Sequence, residues 1–189
     1  MNNPKVWAVL GAMDGLGSAA IKYLVTSRQI VIAFVNKDFP GNTLFDKEPE
    51  NLYIIPLEAV SEKKIKNALT ALISKYGAID FIINNSNYKL FNDSIAMTSE
   101  EIESVISTDV SITITLLKAI IPYLRKEPKG SLINIPPQLC LAIVADKTAA
   151  ERLACAMEYF LKTLQVELMD LDCNLSFLQP GERFANFAM

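Results

Sequence analysis

Six short apolar runs, alternating with stretches of helical periodicity, restrict this chain more than any other feature. The runs lie at residues 5–10, 30–35, 52–57, 79–84, 131–135 and 175–179. Several, such as VWAVL and IVIAFV, are apolar at every position. A strand with one wet face alternates, so runs of this kind belong to strands buried on both faces of a parallel sheet. The intervening stretches predict helices over 16–27, 61–76, 99–126 and 146–170. The second presents Ile65, Ala68, Leu69, Leu72 and Ile73 on one face and stops at Gly77, suited to a left-handed cap. The third opens on Thr98-x-x-Glu101, a capping-box pattern, and runs out before Pro128 and Gly130. Residues 36–51 carry Pro40, Gly41 and Pro49 and have room for about one helical turn, so this crossover is expected to be mostly loop. Strand–helix alternation along the whole chain predicts an α/β domain built on a parallel sheet.

The 189 residues suit a single domain over 1–189, and 51% hydrophobic with 21% charged residues suits a packed interior. No apolar run approaches the roughly 18 residues of a membrane span, and MNNPKVWAVLG has neither a basic leader nor a small-residue cleavage site. A cytoplasmic protein without membrane contact is the expectation. Cys140, Cys155 and Cys173 lack metal-ligand spacing and read as reduced core thiols, so no metal site is expected. A net charge of −3 without a basic stripe argues against nucleic acid as a partner. The chain contains no histidine, which closes serine–histidine, cysteine–histidine and most catalytic-zinc chemistries.

The first run leads into a glycine turn, VWAVLGAMDGLGSAAIKYLV, with Gly11, Gly15 and Gly17 before a helix that opens near Leu16. Glycines there allow a tight turn and close approach of a pyrophosphate to the backbone, while the helix N-terminus offers free N–H groups and a partial positive charge. A turn kept only to pack strand against helix is the alternative.

These motifs in order resemble the short-chain dehydrogenases/reductases along essentially the whole chain. Gly11, Gly15 and Gly17 match that family's Gly-x-x-x-Gly-x-Gly. IDFIINNSN is similar to its Asn-Asn-Ala-Gly strand end, with Asn84, Asn85 and Ser86 in register and Asn87 at the last glycine. Glu58 stands where the family has an Asp near adenine, and LQPGERF is similar to its Pro-Gly after the sixth strand. The resemblance implies a Rossmann-like, doubly wound sheet of six strands in the order 3-2-1-4-5-6. The seventh strand is expected to be absent, because the chain ends near where it would begin. Gly11, Asp14, Gly15, Leu16, Gly17, Asn36, Glu58, Asn84, Asn85, Ser86, Pro180 and Gly181 are the implied cofactor contacts. NAD or NADP is the implied cofactor. NAD is slightly favoured, since the charge of Asp14 would repel a 2′-phosphate, although Val35 rather than an acid ends the second strand. A crevice that binds neither stays open as a reading.

The family's reactive positions are filled by other residues. Its Ser falls on Pro137, its Tyr and Lys on Ala150 and Ala154, and its assisting Asn on Asp109. Proline and alanine can neither donate a proton nor stabilise an oxyanion, so the family's carbonyl chemistry is expected to be absent. Asp109 continues the inward stripe Ile102, Val105, Ile106 toward Thr113, Leu116 and Leu117, and reads as a hydrogen-bonded structural carboxylate. Replacements in the neighbourhood are Tyr88, Lys89, Cys140, Lys147 and Thr148, each with an ordinary surface or packing role as its simpler account. The leading reading is a catalytically inactive relative with a binding or assembly role. The alternative is an NAD(P)-dependent oxidoreductase using non-standard residues such as Tyr88 or Lys147. By resemblance, a homodimer or tetramer would form through 99–126 and 146–170, where Ala149, Ala150, Ala154 and Ala156 permit close approach. Trp7, placed on the first strand behind the glycine loop, is expected to report ligand by fluorescence.

Overall fold

The computed structural model describes residues 3–11, 15–35, 44–47, 49–56, 62–85, 111–126, 130–135 and 174–177. Its strands are β1 (Val6–Leu10), β2 (Ile30–Val35), β3 (Leu52–Pro56), β4 (Phe81–Asn84), β5 (Ser131–Asn134) and β6 (Asn174–Phe177). The described helices are α1 (Gly15–Thr26), α2 (Glu62–Tyr76) and α3 (Ser111–Ile120). The strands form one sheet in the order β3-β2-β1-β4-β5-β6, and all five pairings are parallel. Among the described residues the expected order of six strands is met, with boundaries within a few residues of those read from sequence.

Alternate side chains of each strand enter two separate cores, as the pleat requires. Val6, Ala8, Leu10, Ile30, Ile32, Phe34, Ile82 and Leu132 face α2 and α3, where Ile65, Leu69, Leu116, Leu117 and Ile120 meet them. Trp7, Val9, Val31, Ala33, Val35, Ile83 and Ile133 face α1, which supplies Ala20, Ile21, Leu24 and Val25. The sheet is therefore doubly wound. Ile21, Leu24 and Leu69 are fully buried, each contributing about 1.5–3 kcal/mol relative to an exposed side chain. The inward stripe expected over Thr113, Leu116 and Leu117 is buried.

Local signals set the helix ends. Gly77, at φ 92, stops α2 and returns its N–H to the Ile73 carbonyl at 2.7 Å. Helix α1 closes in a Schellman turn, with Gln29 N–H on the Leu24 carbonyl and Arg28 N–H on that of Val25, both at 3.0 Å. The left-handed position, usually glycine, is Arg28 at φ 59. The helix expected to continue to residue 126 is corrected: α3 ends at Ile120, and Ile121–Tyr123 form a 3₁₀ turn. Pro122 has no N–H to continue the ladder and its ring would meet the carbonyl one turn back. Leu124 then extends and bridges Ile79, and β4 begins at Phe81 rather than at 79. The stretch of that helix before 111 and the helix expected over 146–170 lie outside the described residues.

Asp80 ties the N-terminal ends of the central strands. Its nearly buried carboxylate accepts from Val6 N–H at 2.8 Å, Arg125 Nε at 2.7 Å and Lys5 Nζ at 3.3 Å. Its backbone bonds Val6 on β1 and Ser131 on β5. At the α1–β2 turn, Asn51 Nδ2 donates to the carbonyls of Val25 and Gln29, fixing where β3 enters.

Two stability measurements follow by urea denaturation. Arg28→Gly relieves the left-handed strain and is expected to stabilise the fold by about 0.5–1 kcal/mol. Asp80→Ala leaves the Val6 N–H buried without its acceptor, while both cations retain partial solvation, for an expected loss of about 2 kcal/mol.

Candidate functional site

The strand order reverses between β1 and β4, and in open α/β sheets ligands bind in the crevice beyond the carboxyl ends at such a reversal. Gly11 stands at that point, directly after β1, with φ 71. This is the left-handed region, costly for any residue with a Cβ, so the turn out of β1 requires glycine. Helix α1 opens at Gly15 with no acidic side chain in its first turn. Gly17 is buried and Leu16 is 43% exposed.

Three buried amides floor the crevice: Asn84, Asn85 and Asn134. The first two close β4 and follow it. Asn85 Nδ2 donates to the Gly11 carbonyl at 2.9 Å, and its backbone N–H donates to the Leu10 carbonyl at 3.0 Å. One residue thus joins β4 to the glycine turn through both backbone and side chain. Asn84 lies in register with Asn134 on β5 and donates its Nδ2 to Asn134 Oδ1 at 2.7 Å. Ile135 N–H donates to the Asn84 carbonyl at 2.9 Å.

Asn134 was not among the site residues expected from sequence. Its signal was an amide interrupting the apolar run SLINI, but recognising its partner required the strand register.

Among the described residues, this floor offers glycine backbone and neutral amides. Such groups hold and orient a ligand; they do not move a proton at ordinary pH. A helix N-terminus with glycine backbone beside it, as Gly11, Gly15 and Gly17 give here, is the kind of group that can hold a pyrophosphate. A nicotinamide dinucleotide held there would supply or accept hydride. Val35, 3% exposed, closes β2 with an apolar side chain and gives a ribose no hydroxyl acceptor.

Residues 5–182 match the sequence profile described as short chain dehydrogenase. The chain belongs to the short-chain dehydrogenase family.

Its relatives include L-fucose dehydrogenase of Mus musculus, 29% identical over 132 residues. That match covers 69% of this chain and 48% of the mouse enzyme, so this short-chain dehydrogenase spans about half of that relative's length. An uncharacterized oxidoreductase of Staphylococcus aureus is 22% identical over 178 residues, covering 94% of this chain and 77% of that protein. A solved NADH-dependent reductase complexed with NAD shares the fold at TM-score 0.72 and 14% identity, over 94% of this chain and 78% of its own.

Of the residues expected to contact cofactor, Gly11, Gly15, Leu16, Gly17, Asn84 and Asn85 are placed at this one edge. Asp14, Asn36, Glu58, Ser86, Pro180 and Gly181 lie outside the described residues. So do Asp109, Pro137, Ala150 and Ala154 at the family's reactive positions, and Tyr88, Lys89, Cys140, Lys147 and Thr148. Among the described residues no cluster of His, Cys, Asp and Glu could hold a metal, and no helix is long and apolar enough to cross a membrane.

Trp7 is a core residue of β1. It stacks on Phe81 with centroids 4.1 Å apart, buried against the α1 face. Four residues of extended strand separate it from Gly11, about 13 Å.

Asn85→Ala removes the clamp on the Gly11 carbonyl and is expected to cost about 2 kcal/mol in thermal or urea unfolding. Equal stability of variant and parent would mean the clamp is dispensable.

Proposed function

We propose that this short-chain dehydrogenase binds a nicotinamide dinucleotide and lacks the family's proton-transfer chemistry. The observation that carries the binding half is the Asn85–Gly11 hydrogen bond. It holds Gly11, in its left-handed conformation at the end of β1, against β4, on the edge where α1 opens. A backbone edge held in place before a ligand arrives lowers the cost of binding. Support for the second half is the sequence register that sets Pro137, Ala150 and Ala154 at the reactive positions. Without a hydroxyl or ammonium there, a carbonyl oxygen gaining hydride has no proton donor from those positions.

NAD is favoured over NADP on the charge of Asp14. The role left to such a protein is binding or assembly, with self-association through 99–126 and 146–170 as the corresponding quaternary proposal. A cytoplasmic location is proposed with it.

The oxidoreductase names of the relatives favour a second reading: dinucleotide-dependent reduction or oxidation using other residues, Tyr88 or Lys147 first among them.

Thermal unfolding with NAD, NADH, NADP and NADPH, followed by an assay of NADH and NADPH consumption over a carbonyl panel, separates these readings. Binding is expected to stabilise the chain by about 2.7 kcal/mol at a hundredfold excess over Kd, with no carbonyl-dependent consumption. Absence of a shift with every nucleotide at millimolar concentration would overturn the binding half. Consumption lost in Tyr88→Phe or Lys147→Met would establish the second reading.

A further inference from the structure

A second cluster of polar side chains lies at the outer edge of the sheet, away from the crevice. Tyr53 projects from β3, the terminal strand of the order, over the face covered by α2. Its hydroxyl is hydrogen-bonded to that of Tyr76, the last residue of α2. The two rings meet edge to face, with centroids 5.8 Å apart and planes inclined at 60°. Both are half-buried and packed against the core. Lys75, exposed beside them, donates from Nζ to Tyr53 Oη at 3.1 Å and sits 4.9 Å from the centre of the Tyr76 ring.

We infer that Tyr53 and Tyr76 form an oxidative cross-linking site, joined within one chain by a dityrosine bond under one-electron oxidants. On each ring the coupling carbon, Cε, is bonded to the carbon that bears the hydroxyl, and it is the hydroxyls that are in contact. The rings therefore bring their reactive edges together in the folded chain. Proximity of this kind replaces an encounter between chains by a reaction within one. Packing against the core holds each ring while its partner is oxidised. The surrounding hydrogen bonds act in the same direction. That with Tyr76, and after it that from Lys75, draws the Tyr53 hydroxyl below the usual phenol range, against burial and the charge of Glu50. Donors beside the oxygen stabilise its charged form, and a hydroxyl nearer to phenolate gives up an electron more readily.

In the reaction, each phenol loses one electron to the oxidant and one proton to water, leaving phenoxyl radicals with spin on the ortho carbons. A bond forms between Cε of Tyr53 and Cε of Tyr76. The hydrogen on each joined carbon leaves as a proton, a proton returns to each oxygen, and both rings regain aromaticity. In all, two electrons and two protons depart. The product ties the edge strand β3 to the end of α2 across a separation of 23 residues. Closing such a loop restricts the unfolded chain, as a disulfide does.

The test photo-oxidises the whole chain with tris(bipyridine)ruthenium(II) and persulfate, each persulfate accepting two electrons and becoming two sulfates. Monomer is then isolated by size-exclusion chromatography, digested, and its cross-linked peptides mapped by mass spectrometry. A parallel sample is treated after unfolding in urea. The expected product is a Tyr53–Tyr76 peptide pair lighter by two hydrogens than its separate parts, with a yield about tenfold or more lower in the unfolded sample. Absence of that pair from folded monomer, at a dose that couples N-acetyltyrosine amide, would overturn the assignment. So would a yield that unfolding leaves unchanged, since the link would then owe nothing to the folded contact.

Discussion

The structure depends on the seam between β1 and β4, which is fastened at both ends by side chains flanking the same strand. Before β4, Asp80 accepts the Val6 N–H and gathers Arg125 and Lys5. After it, Asn85 reaches the Gly11 carbonyl. Between these two points the register runs without a break from Trp7–Phe81 to Leu10–Asn84. A slip of one residue would exchange the two cores, sending Trp7 toward α2 and Leu10 toward α1. Polar groups at the strand ends and apolar groups between them therefore specify one register, and that register puts the glycine turn beside the amides.

The contrast between the ends of this seam has a chemical consequence. Among the described residues, the N-terminal edge carries a charged cluster, where Asp80 pairs with two cations and serves cohesion. The carboxyl edge, where ligands bind in such sheets, is floored among the described residues by neutral amides and backbone. Uncharged donors and acceptors satisfy one another at little desolvation cost and leave a rigid frame. That frame suits holding a nucleotide, and proton movement would need groups beyond it.

Much of the architecture was legible because the strands are buried on both faces. VWAVL and IVIAFV admit no exposed face, so their place at the centre of a parallel sheet was readable without any partner. Gly77 announced the end of α2 for a purely local reason. The end of α3 was misread because hydrophobic periodicity continues through Ile121 and Leu124, whereas Pro122 breaks the hydrogen-bond ladder whatever its neighbours are. Pairings distant in sequence were not legible. Asn84 and Asn134 are 50 residues apart, Asp80 and Arg125 are 45, and Tyr53 and Tyr76 are 23. Arg28 in a glycine-like conformation was equally hidden, since only the backbone shows that this Schellman turn carries a bulky residue. At the crevice, the glycine spacing and the paired asparagines were readable as motifs. Their mutual hydrogen bond was not.

Backbone hydrogen exchange tests most directly whether the glycine turn and the opening of α1 form a nucleotide cradle. Exchange of the amides of Gly11 and of Gly15 through Ser18 should be followed with and without saturating NAD. The account predicts slower exchange at these positions on addition of NAD, with the Tyr53 edge of the sheet unchanged. Unaltered exchange at the turn and helix opening, with protection appearing only elsewhere, would contradict it.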